Sequence, residues 1–485
     1  MNKSHTPSLL VSLVPVMLLL AALIMFIAVK GADSVQDYSY WILLSASAVA
    51  LILSRLCAKR PWRVIWFGMC KSARQIMPAI PILIFIGTLS STWMLSGVVP
   101  MLIDYGLRLL DPGIFLMLSC LICAIVSVVT GSSWTTIATI GVALMGIGTV
   151  MGYSPAWTAG AIISGAYFGD KVSPLSDTTV LAASSTGVGL FAHIRFLMLT
   201  TIPALAIALI VFSVAGVDTD VYYESHTAEM VDALDSTFNM SPWLFAVPLL
   251  TGLLIVLRVR TDVTLAISSL VALAAIFIFQ PQVIESLSGG AAGWIDDVMV
   301  SLKILAVDTS LESGNELLDS LVATGGIAGM LPTVYLVLSA MAFGGVMIGT
   351  GMLSAITAAF THRLSSPRSL VGATVGSGLF LNCCTGDQYL SIIIGGNVFK
   401  NTYKRNKMRP QVLSRALEDS ISVTSVLIPW NSCGVTQSTV LGVATLTYLP
   451  YCVFNYVSPL MSVAMAWIGW KMLAASPMRR KLAVD

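Results

Sequence analysis

The sequence predicts an all-α polytopic membrane protein, built as two inverted-topology repeats with re-entrant hairpins and discontinuous helices. Three observations predict it: an apolar composition, loops of alternating charge sign, and polar interruptions that recur in the same order in both halves.

Of the 485 residues, 56% are hydrophobic and 10% charged, against roughly 25% charged in a soluble domain, and mean hydropathy is +0.87. A membrane-crossing helix needs about 20 mostly apolar residues. Such stretches recur at 8–29, 39–57, 78–96, 113–130, 193–214, 242–258, 262–280, 330–350 and 446–472. The first is too long for a signal-peptide core and is followed by many more, so it reads as a retained helix. A net charge of +2 gives no support to nucleic-acid binding. Cys120, Cys123, Cys383 and Cys384 lie in apolar helix without His or further Cys at ligand spacing, which favours packing over metal or redox chemistry.

Basic residues in short loops stay on the cytoplasmic side. Arg55, Lys59, Arg60, Arg63, Lys71 and Arg74 have no acid among them, and neither do Lys400, Lys404, Arg405, Lys407, Arg409 and Arg415, so both loops are expected inside. The segment 216–241 carries six acids and no Lys or Arg, and 281–329 carries seven acids against Lys303, so both are expected outside. Arg479, Arg480 and Lys481 then place the C-terminus inside with the N-terminus.

The expected divisions are 1–74 (first helices and basic loop), 75–215 (first repeat), 216–327 (acidic connectors with two linking helices), 328–472 (second repeat) and 473–485 (tail). In each repeat an apolar helix leads to an amphipathic stretch, a polar hairpin, an interrupted segment and a final span. By the charge map the final spans run in opposite directions, which makes the repeats inverted. Inverted repeats with matched helix breaks are the signature of secondary transporters, with solute bound where the breaks meet.

The acids narrow the search. Of 24, 13 lie in the outer loops and six near interfaces or in the tail, leaving Asp170, Asp177, Asp387, Glu418 and Asp419 as proton-coupling candidates. An acid at the membrane centre costs at least ~2.5 kcal/mol, so it faces a cavity or a partner. The first break runs from Asp170 and Lys171 through Ser173, Pro174, Ser176 and Asp177 to Thr178 and Thr179. Pro174 removes a helix hydrogen bond, and the side-chain oxygens suit Na⁺ held by Asp170, Asp177 and neighbouring hydroxyls. Alternatively, Ser176 or Asp177 caps a helix, and Asp170 and Lys171 neutralise each other. The first hairpin turn offers Thr130, Gly131, Ser132, Ser133, Trp134 and Thr135; its second-half counterpart offers Thr385, Asp387 and Gln388. The second break carries Asn431, preceded by Glu418 and Asp419, one of which can pair with Arg415. His193, beside Arg195, is a further proton-handling candidate, while His5, His226 and His362 fall in loops or the tail.

The run Ser164–Thr179, the turn Gly131–Thr136, the stretch Ser414-Arg415-x-x-Glu418-Asp419 and the segment Pro429-Trp430-Asn431-x-Cys433-Gly434 resemble the NhaC-type Na⁺/H⁺ antiporter family of the larger ion transporter superfamily. The resemblance covers about 75–470; Gly-Ser-Ser-Trp stands where the family pattern has Gly-Thr-Ser-Trp. It implies Na⁺/H⁺ antiport or sodium-coupled exchange of small organic ions. It also implies a homodimer in which a transport subdomain shifts, elevator-like, against a scaffold.

The expected function is therefore secondary active Na⁺/H⁺ antiport by alternating access in the bacterial inner membrane, with Na⁺ and protons competing for a midplane carboxylate and hydroxyl site and with no cofactor. The alternative is Na⁺- or H⁺-coupled transport of a small organic acid or amino acid, held by Lys171 or the helix start at Thr178. An intramembrane enzyme is disfavoured, because the chain has no His-Glu-x-x-His and no Gly-x-Ser-x-Gly.

Overall fold

The computed structural model describes residues 7–31, 35–58, 60–215, 223–290, 293–361 and 366–469. Among them regular structure is helical, with a single isolated backbone bridge between Thr309 and Thr324. His5, His362, Arg479, Arg480 and Lys481 lie outside the described residues. Among the described residues eight helices are long and apolar enough to cross a membrane, or up to ten if each of two bent pairs is one span.

Leu9–Lys30 shows how such a helix is delimited. The Ser8 hydroxyl accepts from the Val11 amide at its start and Gly31, at φ +88°, closes it. Two departures from the expected spans have a clear local cause. The stretch at 78–96 is the second part of a longer rod, Trp62–Leu95, whose first piece, Trp62–Ile76, is amphipathic and so escapes a hydropathy reading. The stretch at 446–472 is bent by 58° between Thr445–Tyr451 and Val453–Ile468, where Pro450 lacks the amide that would continue the ladder. The acidic connectors carry Tyr223–Thr237, Pro281–Ser288, Trp294–Ala306 and Glu316–Val322. In the second connector the Ser313 hydroxyl and amide both donate to Asp319, holding its carboxyl below the usual range.

Two sets of helices pack chiefly within themselves. Leu9–Lys30, Val35–Leu53, Trp62–Ile76, Ala79–Leu95, Thr261–Phe279 and Gly326–Gly349 form one. There Gly68 meets Gly345 and Gly349 so closely that a Cβ on Gly68 would lie 2.8 to 2.9 Å from their backbones, the small-residue contact by which helices approach in lipid. The other set holds Phe115–Thr130, Pro155–Val172, Leu190–Ala215, Pro367–Thr385, Gln388–Arg405 and Val453–Ile468.

The order of elements from Ala79 to Ala215 recurs from Gly326 to Ile468. A long helix is followed by a short one (Val98–Leu109; Met352–Thr361), a hairpin, a broken helix and a final span.

Candidate ion-binding site

The two hairpin tips share one local design. Phe115–Thr130 ends at Gly131 (φ +69°) and Pro367–Thr385 at Gly386 (φ +67°), a left-handed conformation that glycine adopts without strain. The next residue caps the returning helix. Ser132 Oγ accepts from the Thr135 amide at 3.2 Å, and Asp387 Oδ1 from the Leu390 amide at 2.8 Å. Behind each tip a threonine hydroxyl is fixed twice: Thr130 by Ser132 and Thr136, Thr385 by Asp387 and Ser391. A serine therefore occupies in the first tip the place a carboxylate takes in the second.

The first break supplies the missing charge. Pro155–Val172 stops before Pro174, and Asp170 Oδ2 accepts from the Ser133 amide (3.2 Å) and hydroxyl (2.7 Å). Ser176 caps Asp177–Thr186 and its hydroxyl meets that of Thr178 at 2.9 Å, leaving Asp177 exposed in the first turn. The second break is stitched to the second tip: the Ser432 amide donates to Gly386 O at 2.8 Å and the Trp430 indole to Cys383 O at 2.8 Å.

These pieces surround a cavity of about 520 Å³. Thr130, Gly131, Ser132, Trp134, Thr135, Asp170, Ser176, Asp177, Thr178, Asp387 and Gln388 line it, so both tips and the first break converge as the sequence leads one to expect. Gln75, Tyr389, Arg258, Arg260 and Thr264, which the sequence reading did not single out, complete the wall. Arg258 and Arg260 come from the turn between the linking helices and bring positive charge to the rim. Hydroxyls and carboxylates of this kind suit a hard cation. Among the described residues no three His, Cys, Asp or Glu cluster as a metal site.

Other candidates lie outside the cavity wall. Ser133 holds Asp170, Ser173 donates to Val128 O at 2.8 Å, and Thr179 donates to Lys171 O at 3.0 Å. Thr385 stays inside its tip, and Asn431 caps Ser432–Leu441, accepting from the Cys433 amide at 3.1 Å. Lys171 is turned from Asp170 and makes a buried ion pair with Asp419, which also faces Arg415 at 3.9 Å and accepts from Ser458 (3.0 Å) and Thr200 (3.3 Å). Glu418 is buried with neither oxygen hydrogen-bonded. His193 is buried too, its Nδ1 2.8 Å from Ser414 Oγ.

The Na⁺/H⁺ antiporter family model matches residues 6–187 and 165–470. The chain belongs to that family. The Na⁺/H⁺ antiporter NhaC of Alkalihalophilus pseudofirmus is 38% identical, over 84% of this chain and 86% of that one. The arginine/ornithine antiporter ArcD of Halobacterium salinarum is 32% identical over 97% and 94%. The malate-2H⁺/Na⁺-lactate antiporter of Bacillus subtilis is 32% identical over 81% of each. The two matched segments of the antiporter family model together contain every residue that lines the cavity.

Proposed function

We propose that the chain is a secondary antiporter of the inner membrane that exchanges Na⁺ for H⁺ at this cavity. The observation that carries the reading is the meeting of two carboxylates, Asp170 from the first half and Asp387 from the second, in one hydroxyl-lined space. Oxygen ligands replace the hydration shell of Na⁺, and a proton occupying either carboxylate withdraws it as a ligand, so the two ions exclude each other. The matched order of elements supports inverted repeats. The division into two helix sets supports a scaffold, formed by the first, and a mobile transport body, formed by the second, in a homodimer.

Transport of a small organic acid or amino acid is the second reading. A cavity of about 520 Å³ is many times the roughly 30 Å³ share of one water, and Arg258 in its wall suits a carboxylate, Arg260 being paired with Asp262. Purified protein in liposomes, assayed for radioactive Na⁺ uptake against an outward proton gradient and then against a panel of organic acids and amino acids, separates the two. Exchange that ignores Na⁺ and pH would end the first.

Asp170→Asn is expected to raise the Na⁺ concentration for half-maximal exchange about tenfold, and Asp177→Asn only a few-fold. Asp170 is partly buried and fixed on Ser133, whereas Asp177 is exposed, where water weakens each charge. Equal Na⁺ dependence in both variants and the parent would remove this break from the site.

Orientation is tested separately. In a background lacking native cysteines, a cysteine at Ser236 should label with an impermeant thiol reagent in intact cells and one at Asn406 should not. Equal labelling would overturn the inverted arrangement.

A further inference from the structure

Away from the cavity, one stretch of the second broken helix concentrates buried oxygens that have no hydrogen-bond donor. Pro410–Leu417 runs into a widened π-helical turn, Glu418–Ser422, and the chain then unwinds toward Pro429. Two asparagines flank it. Asn382, from the second hairpin, donates its Nδ2 to Ile421 O at 2.7 Å, and Asn455, from the final span, donates to Val423 O at 2.6 Å. A backbone carbonyl can only accept, so chemistry fixes which way each amide is turned. Each Oδ1 is therefore left over, and both are buried without a partner. The same is true of the Ser422 hydroxyl and of both Glu418 carboxyl oxygens.

The Ser422 and Thr178 hydroxyls are the donors beside the Glu418 carboxyl, neither in full hydrogen-bonding geometry. Lys171 and Arg415, the buried cations of this region, are drawn to Asp419 instead. Buried polar groups are almost always satisfied, and each orphan costs free energy. Protonating Glu418 would remove its charge and supply one O–H donor, which can serve only one of the remaining acceptors. A desolvated cation satisfies acceptors of this kind, since Na⁺-type ions are held by carboxylate, amide and hydroxyl oxygens.

We propose that this unwound segment holds a second, enclosed site for a monovalent cation of the Na⁺ class, with Glu418 and Ser422 as its ligands. The site goes beyond exchange at the cavity, from which Thr178 separates it, and makes the carrier bind two cations per chain.

Equilibrium binding of radioactive Na⁺ to the purified protein tests this. The parent should bind close to two Na⁺ per chain. Glu418→Gln and Ser422→Ala should each bind close to one, with the remaining affinity changed by no more than a few-fold. Ser422→Ala removes one hydroxyl and keeps the packing, so it stands in if the glutamate variant fails to fold. A parent that binds one Na⁺, or variants that still bind two, would overturn the second site. The latter result would leave Glu418 carrying a proton only. Asp387→Asn separates the two sites: loss of one Na⁺ supports both, whereas retention of two counts against the cavity and leaves the enclosed site standing.

Discussion

Asp419→Asn is expected to damage folding more than any other single substitution among the candidate acids. Asp419 is fully buried and is the anion facing both Lys171 and Arg415, themselves buried. Asparagine keeps the shape and an acceptor for Ser458 and Thr200 but strands two cations in low dielectric. Removing one partner of a buried pair typically costs about 3–5 kcal/mol, because the remaining charge is left uncompensated. Thermal unfolding of the detergent-purified protein should show a marked loss, together with a poor yield of monodisperse material. Adding Lys171→Met should recover part of it, since one stranded cation is then gone. Lys171→Met alone should be milder, because Arg415 still balances Asp419. An Asp419→Asn protein as stable as the parent would show that this network does not hold the two halves together.

Asp387→Asn should separate function from fold. Asparagine caps a helix about as well as aspartate, so the Leu390 amide keeps its acceptor and the second tip persists. What disappears is the charge. Hydrogen bonds and contacts to charged groups contribute about 1.5–3 kcal/mol, which corresponds to a fall of roughly ten- to hundred-fold in Na⁺ affinity. The effect should exceed that of Asp170→Asn, because Asp177 remains in the first break while the second tip has no other acid. The pH dependence of exchange should flatten as well, since an amide neither takes nor releases a proton. Liposome exchange measured across pH and Na⁺ concentration reads both, and a variant with the parent's profile would move proton coupling away from the second tip.

The two hairpin tips and the first break were legible, because their makers are local. Gly131 and Gly386 end helices, Ser132 and Asp387 start them, and Pro174 interrupts one, each acting within a few residues of itself. Partnerships were not legible. Asp170 and Lys171 are sequence neighbours that could have neutralised each other, yet adjacent residues on a helix do not face one another. The first therefore turns to Ser133 and the second to Asp419, across the two halves of the chain. Glu418 and Asp419 both lie within a helical turn of Arg415, and it is Asp419 that the arginine faces. Arg258 and Arg260 were hidden because nothing in a turn announces what packs over it, and Gln75 because it lies in the last turn of an amphipathic helix among other polar residues. Asn382 and Asn455 did leave a signal, as amides inside otherwise apolar spans.

The caps at the two hairpins have a mechanical side. Asp170 holds the Ser133 amide and Asp387 the Leu390 amide, so these two cavity carboxylates also fasten the first turn of a returning arm. A helix start is a partial positive charge. A cation bound as proposed would contend with the helix end for one carboxylate, so that occupancy would loosen the grip on that turn and departure would restore it. Loading would be felt as a change in the stiffness of the hairpins before anything larger moves, which gives the carrier a way to register its cargo at the two points where its halves meet.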